Sequence, residues 1–212
     1  MPLILKKQIN TDTQLAVWEI TETTDYFLSK LILDKTESDI FKNFKSDLRR
    51  KHWLSYRLLI KELLNLKINF NIIYDKYNRP YFTNSSLNLS VSHSGKYSAA
   101  IISKTKKTGI DIEKIHIRIK KITNKFMSKE EQNQIKHSDK LEYLYIYWCA
   151  KEALYKLFGK KNLMFKKNII ISPFIYKNTG FIKGKIKLNN FEQTYTLSYK
   201  KFDDYMLVYV VN

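Results

Sequence analysis

TGIDIEK (Thr108–Lys114) places two carboxylates, Asp111 and Glu113, at alternate positions of an isoleucine-rich run, in a chain with 20 acidic residues against 38 basic ones. An extended segment sends successive side chains to opposite faces. Ile110 and Ile112 therefore share one face and Asp111 and Glu113 the other, roughly 6.6 Å apart along the chain. Two carboxylates on one face of a strand repel unless a cation lies between them. A hard ion such as Mg²⁺ suits such a pair, because it is commonly held by one or two carboxylates, with water and phosphate oxygens completing the octahedron. The alternative is that both acids point to solvent or to a lysine.

The pattern on either side of this run is mixed. Before it, a strand is expected at Ala16–Thr21. A helix follows from about Leu48 to Leu66, with Leu54, Leu58, Leu59, Leu63 and Leu66 at helical spacing. Strands come next at Ile72–Tyr74, Leu87–Val91, Tyr97–Ile102 and Gly109–Ile115, with Ser92–Gly95 as a turn between two of them. After it, Ser128 with Glu131 three residues on is a capping-box signature for a helix running towards Lys136. A longer helix is expected from about Asp139 to Phe158, ended by Gly159. Strand-like runs then occupy Asn168–Ile171, Gly180–Leu188, Thr194–Lys200 and Tyr205–Val211. Helices on one side of mostly antiparallel strands make an α+β fold. The natural division is near Ser103–Thr108, giving halves 1–105 and 106–212, and a shared interface between two similar halves is where a site is expected.

With 212 residues, 44% hydrophobic and 14% aromatic, the chain can bury a sizeable core and lacks the composition of a disordered one. Five glycines and three prolines leave no room for a flexible linker. The lone cysteine, Cys149, excludes an internal disulfide framework and a thiolate zinc cluster within the chain. Neither a secretory signal nor a membrane span is legible, so a soluble, cytoplasmic protein is expected. The net charge of +18 calls for an anionic partner: nucleic acid, acidic membrane, a polyphosphorylated small molecule or an acidic protein. A solvated lysine surface is the alternative.

Two further stretches carry chemistry. In WCAKEALYK (Trp148–Lys156) the apolar stripe Leu141, Leu144, Tyr145, Trp148 continues onto Glu152 and Tyr155, so a carboxylate lies on the core-facing side and needs a cation or a proton. Lys156 stands in the Glu-then-Lys order that favours an i,i+4 pair, and a plain surface salt bridge is the alternative there. In VSHSGKYSAA (Val91–Ala100) a Ser-His-Ser-Gly turn offers hydroxyls, an imidazole and open backbone N–H groups, which suits phosphate. His93 taken alone reads more readily as a turn histidine with a local hydrogen bond. Ser–His nucleophilic catalysis is disfavoured, because adjacent residues on an extended chain point apart.

In this order and spacing, GIDIE, KFMSKEE (Lys125–Glu131), WCAKEALYK and LSVSHSG (Leu89–Gly95) resemble the 4′-phosphopantetheinyl transferase superfamily, in its larger single-chain (Sfp-type) form. The resemblance implies two pseudo-symmetric α+β halves with coenzyme A in the cleft between them. The implied reaction is transfer of the phosphopantetheine arm from coenzyme A to a serine of an acidic apo carrier protein, releasing 3′,5′-adenosine diphosphate. Carried onto this chain, it implies Asp111, Glu113 and Glu152 as Mg²⁺ ligands, and Glu152, directly or through a bound water, as the base for the serine. Lys156 would act at the leaving phosphate, with Lys151 as a supporting cation. The turn Ser92, His93, Ser94, Gly95 would take the nucleotide end. Fused halves make a monomer the default.

There are departures from the pattern. Where the family usually has Gly-Lys-Pro, this chain has Asn78, Arg79 and Pro80 in YNRPYF, leaving Arg79 to bind phosphate. In LRRKHWLSYRLL (Leu48–Leu59), His52 falls where an arginine commonly meets the nucleotide phosphate, which leaves either Arg50 or Lys51 to supply the cation or the 3′-phosphate contact weakened. Two other readings follow from the same residues. One is a basic nucleic-acid-binding module, for which only the charge speaks; the other is a coenzyme A-binding relative without turnover, for which the changes at Asn78 and His52 speak.

Overall fold

A computed structural model of the chain describes residues 2–65, 70–135, 141–159 and 163–212. The chain divides into two compact units, Met1–Lys106 and Lys107–Asn212. The expected helix limits at Leu66, Lys136 and Asp139 lie outside the described residues.

The first unit opens with a hairpin of β1 (Leu3–Asn10) and β2 (Thr13–Glu19). Helices α1 (Thr24–Lys30), α2 (Lys35–Lys42) and α3 (Asp47–Leu64) follow, then β3 (Ile72–Tyr74), β4 (Pro80–Phe82), β5 (Asn88–Ser94) and β6 (Tyr97–Ser103). Its main sheet has the order β1-β2-β6-β5, antiparallel throughout, while β3 and β4 pair with each other. The 18-residue α3 begins where the Ser46 side chain accepts from the Arg49 N–H and ends at Asn65, whose positive φ of 50° supplies a left-handed stop. Trp53, Leu54, Leu59, Ile60 and Leu63 bury its inner face with Ala16, Trp18, Ala100 and Ile102 of the sheet. One charge goes inside with them: the Arg57 guanidinium donates to Glu37 Oε1 at 3.1 Å and lies 3.3 Å from the Trp53 ring centroid.

The second unit starts with β7 (Thr108–Lys114), followed by a 3₁₀ turn at Ile117–Ile122 and helices α4 (Thr123–Phe126), α5 (Lys129–Gln134) and α6 (Leu141–Phe158). Helix α7 (Phe165–Asn168) leads into the meander β8 (Ile169–Ile171), β9 (Thr179–Leu188), β10 (Phe191–Phe202) and β11 (Tyr205–Val211). The sheet order is β7-β11-β10-β9-β8, again antiparallel, so the last strand returns to lie beside the first. In each unit one helix is 18 residues long and the final strand pairs with the strand that precedes the helices.

Helix α6 buries Ile146, Cys149, Ala150, Ala153, Leu154 and Leu157 with Ile182, Leu197, Met206, Val208 and Val210. This stripe runs one position off the expected one: Trp148, Glu152 and Tyr155 are half-buried at its margin rather than at its centre. The small Ala150 and Ala153 head the stripe because β7 passes close there. Gly159, with φ of 70°, ends the helix as expected, its N–H bonding to the Tyr155 carbonyl at 3.0 Å. Among the described residues, no helix is long and apolar enough to cross a membrane.

Candidate active site

Strand β7 and helix α6 build the site together. On β7, Gly109, Asp111 and Glu113 share one face, and a Cβ at Gly109 would stand 1.9 Å from the Ala153 carbonyl oxygen of α6, so this face looks onto the helix. Ile110 and Ile112, fully buried, point the other way. Glu152 and Lys156 lie on α6 one turn apart. The expected Glu152–Lys156 pair is replaced by a longer reach: Lys156 Nζ donates to Asp111 Oδ1 at 2.7 Å and to the Ile110 carbonyl at 2.9 Å. Asp111 is almost wholly buried, and a buried carboxylate takes a charge-assisted bond across the helix–strand contact in preference to leaving the ammonium on its own helix. Two of the three Lys156 donors are thus fixed.

The electrostatics follow from that crowding. Burial, then the Asp111 and Glu113 carboxylates, push the Glu152 carboxyl up to about 7 against the pull of Lys156. Burial lowers Lys156, but the Asp111 and Glu152 carboxylates outweigh it and hold the ammonium above its usual value. The Cys149 thiol is fully buried, and burial followed by the Asp111 and Glu113 charges drives it well up, so it stays a neutral thiol. A further anchor is the Tyr145 hydroxyl of α6, which accepts from the His116 N–H at 3.1 Å and donates to its carbonyl at 3.3 Å, just past the end of β7.

Among the described residues, no three Asp, Glu, His or Cys side chains stand gathered as a coordination shell. Asp111 uses Lys156 as its counter-ion instead. The donor set still fits a hard divalent ion in kind. Three carboxylates act on one another, and one of them keeps a proton near neutrality that a cation could displace.

A pH dependence follows for protein stripped of divalent ions. An unfolded chain loses the Glu152 proton near 4.5, whereas the folded chain keeps it to about 7. The contribution of Glu152 to stability is therefore complete below about pH 4.5, declines as pH rises to about 7, and is constant above that. Urea unfolding in EDTA across this range should show a slope of at most about 1.4 kcal/mol per pH unit in the wild type minus Glu152→Gln difference. A difference that does not vary with pH would contradict the assignment.

Beside Glu152 opens a groove of about 530 Å³, walled by Phe126, Trp148, Met164 and Phe165 and rimmed by Lys125, Lys166 and Lys167. Its walls are aromatic contacts, Phe126 edge-on to Trp148 at 5.1 Å and Trp148 to Phe165 at 5.8 Å.

Lys151 is elsewhere, which corrects its expected role as a supporting cation. It is completely buried, and its three donors go to Glu131 Oε2 at 2.8 Å, the Phe165 carbonyl at 3.0 Å and the Ile169 carbonyl at 2.6 Å. No donor remains for a ligand. Glu131 in turn closes the capping box of α5 with Ser128 and accepts from the Ile171 N–H at 2.9 Å. One buried pair thus ties α5, α6 and the start of the meander, and fixes the Phe165 wall. Lys151→Met leaves the Glu131 carboxylate without its cation and should cost about 3–5 kcal/mol in urea unfolding. Adding Glu131→Gln should recover part of that, and a single-variant loss within error of zero would contradict the clasp.

In the first unit the expected turn is shorter than the sequence suggests. Ser92, His93 and Ser94 belong to β5, and only Gly95 and Lys96 turn, with positive φ at Gly95 alone (52°), as a II′ turn requires. Ser92 and His93 therefore face opposite sides of the sheet. His93 stacks on His52 at 4.3 Å, and His52 Nε2 donates to the Gly95 carbonyl at 2.7 Å. Arg49, which sequence reasoning missed, donates to His93 Nε2 at 2.6 Å. The signal for it was present, since positions 49 and 52 share a helix face. Arg50 lies over the Phe41 ring instead, at 5.5 Å, and Lys51 pairs with Asp47 at 3.0 Å.

Asn78 keeps the left-handed conformation that a glycine would adopt there, with φ of 62°, and Asp75 Oδ1 accepts from the Arg79 N–H at 2.9 Å, so the change from glycine leaves the turn intact. Pro80 takes the first position of β4, where a missing N–H costs no ladder bond.

A comparison with curated proteins finds no match. The family model of the 4′-phosphopantetheinyl transferase superfamily matches residues 107–210, from the residue before β7 to the penultimate residue of β11. The matched span holds Asp111, Glu113, Glu152, Lys156 and the whole sheet that positions them. The second unit of the chain therefore belongs to the 4′-phosphopantetheinyl transferase superfamily.

Proposed function

We propose that the protein is a phosphopantetheinyl transferase of the larger single-chain form, moving the 4′-phosphopantetheine arm of coenzyme A to a serine of an apo acyl or peptidyl carrier protein with Mg²⁺. The observation that carries this reading is the meeting of Asp111 and Lys156 beside Glu152 within the family-matched unit. Asp111, Glu113 and Glu152 are the residues that would hold the ion, which when bound supplies positive charge against the pyrophosphate.

The chain's own groups then divide the work. A carboxyl near pH 7 is suited to take the hydroxyl proton of the incoming serine, and Glu152 is such a group. The serine oxygen forms a bond to the phosphorus that carries the pantetheine arm, and the bond from that phosphorus to the bridging oxygen breaks. The electron pair leaves on 3′,5′-adenosine diphosphate, where Lys156, charged and fixed on Asp111, stabilises the released phosphate. Transfer of this kind needs alignment and charge neutralisation more than a covalent enzyme intermediate. The lysine rim beside Glu152 and the net charge of +18 suit an acidic carrier.

The test is direct. Incubated with coenzyme A, Mg²⁺ and apo carrier proteins, the protein should raise a carrier's mass by one phosphopantetheine group. Unchanged masses across fatty-acid, polyketide and peptidyl carriers, with binding of coenzyme A retained, would leave a binding protein without turnover in its place.

A further inference from the structure

We infer that Tyr145 is a positioning residue for the carboxylates Glu113 and Glu152, holding the end of β7 at a fixed distance from α6; the inference rests on the shared-ion reading above. The ladder with β11 fixes β7 within its sheet as far as the Lys114–Tyr205 pair. It does not fix how far the strand stands from the helix, which is set by what lies between the two. At the start of β7 that spacing is set by Gly109 against the Ala153 carbonyl. One residue further on it is set by Lys156, which bonds the Ile110 carbonyl and Asp111. Glu113 lies beyond both. The next tie is Tyr145, whose hydroxyl accepts from the His116 N–H at 3.1 Å and donates to the His116 carbonyl at 3.3 Å.

The ties at Lys156 and Tyr145 match along both elements. From Ile110 to His116 the strand runs roughly 20 Å at about 3.3 Å per residue, and from Lys156 back to Tyr145 the helix runs roughly 17 Å at about 1.5 Å per residue. The two chain directions are therefore opposed, and Glu113, midway between the ties on β7, lies alongside the helix span that carries Glu152. His116 is where the strand gives way to the 3₁₀ turn: its carbonyl also accepts from the Ile119 N–H at 3.2 Å, and its Nδ1 accepts from the Arg118 N–H at 3.1 Å. Movement there carries Glu113, three residues back, towards or away from α6. The Tyr145 ring is buried in the core of the unit. Burial raises the phenol against the His116 bond, and the Glu113 charge adds to it, so the hydroxyl stays neutral and can both accept and donate. Phenylalanine at 145 would keep the ring in the core and remove this tie alone.

The experiment is calorimetric titration of Mg²⁺ into EDTA-treated, desalted protein with coenzyme A present. Tyr145→Phe should weaken Mg²⁺ binding about 3- to 10-fold, the range that the lost hydrogen bonds allow, and leave binding of coenzyme A without Mg²⁺ unchanged. Tyr199→Phe is the matched comparison: it also takes a hydroxyl from a backbone N–H, that of Lys177 at 3.2 Å, and should bind Mg²⁺ as wild type does. Amide hydrogen exchange over residues 113–116 should be faster in Tyr145→Phe than in wild type, and Mg²⁺ with coenzyme A should slow it again. Equal Mg²⁺ affinity in wild type and Tyr145→Phe, an equal loss in Tyr199→Phe, or unchanged exchange over 113–116 overturns the inference. The expected loss of Mg²⁺ affinity with no carrier modified by wild type supports the inference and overturns the transfer reading alone. Absence of Mg²⁺ uptake by wild type overturns the inference and the shared-ion assignment together.

Discussion

Glu152→Gln is expected to lower carrier modification by about 10²–10⁴-fold, the usual cost of removing a positioned general base. It should do so without harm to the fold. Glutamine keeps the shape of the side chain and removes the charge that burial and the Asp111 and Glu113 carboxylates oppose. In EDTA above about pH 7 the variant should therefore melt at the same temperature as wild type or higher. Loss of activity together with equal or greater stability separates a functional carboxylate from a structural one. A variant that transfers at the wild-type rate would remove Glu152 from the chemistry, and one that melts lower would place it in the core.

Gly109→Ala should be the most damaging single-methyl change in the second unit. Alanine in a strand at an ordinary φ usually stabilises by about 0.4–1 kcal/mol, because the unfolded chain loses freedom. Here the sign reverses. The new Cβ would lie 1.9 Å from the Ala153 carbonyl oxygen, 2.9 Å from its carbon and 3.0 Å from the Leu157 nitrogen, all of them helix backbone that no rotamer change can move. Helix α6 must shift off β7, and Lys156 with it from Asp111. The expected loss is about 3 kcal/mol or more in urea unfolding, at the upper end for overpacking, with transfer falling in parallel. Stability at or above wild type would contradict the close helix–strand contact on which the site depends.

Much of this site was legible in the sequence. Alternation set Asp111 and Glu113 on one face, and they do face α6; the capping box at Ser128 and Glu131 and the stop at Gly159 stand where they were expected. The pairing choices were not legible. Local spacing made Glu152 the natural partner of Lys156, but burial of Asp111 sends the ammonium across to β7. Lys151 follows the same logic, because a lysine next in sequence to a candidate site carboxylate reads as a ligand cation until Glu131 and two carbonyls, distant in sequence, are found around it. Strand β1 was missed because LILKKQIN, at the edge of its sheet, has neither a strict alternation nor a buried run. The reach of β5 to Ser94 was missed because a Ser-His-Ser-Gly string carries turn residues throughout, while the ladder with β6 continues to Tyr97.

The claim on which the mechanism depends is that Asp111, Glu113 and Glu152 share one divalent ion. Calorimetric titration of Mg²⁺ into EDTA-treated, desalted protein with coenzyme A present, at about pH 6.5 in buffers of different ionisation enthalpy, tests it most directly. One ion should bind per chain and displace the proton that Glu152 holds below about 7, so the apparent enthalpy should vary with the buffer, and Glu152→Gln should abolish that variation. Coenzyme A binding with no Mg²⁺ uptake, or Mg²⁺ uptake unaltered in Glu152→Gln, would contradict it.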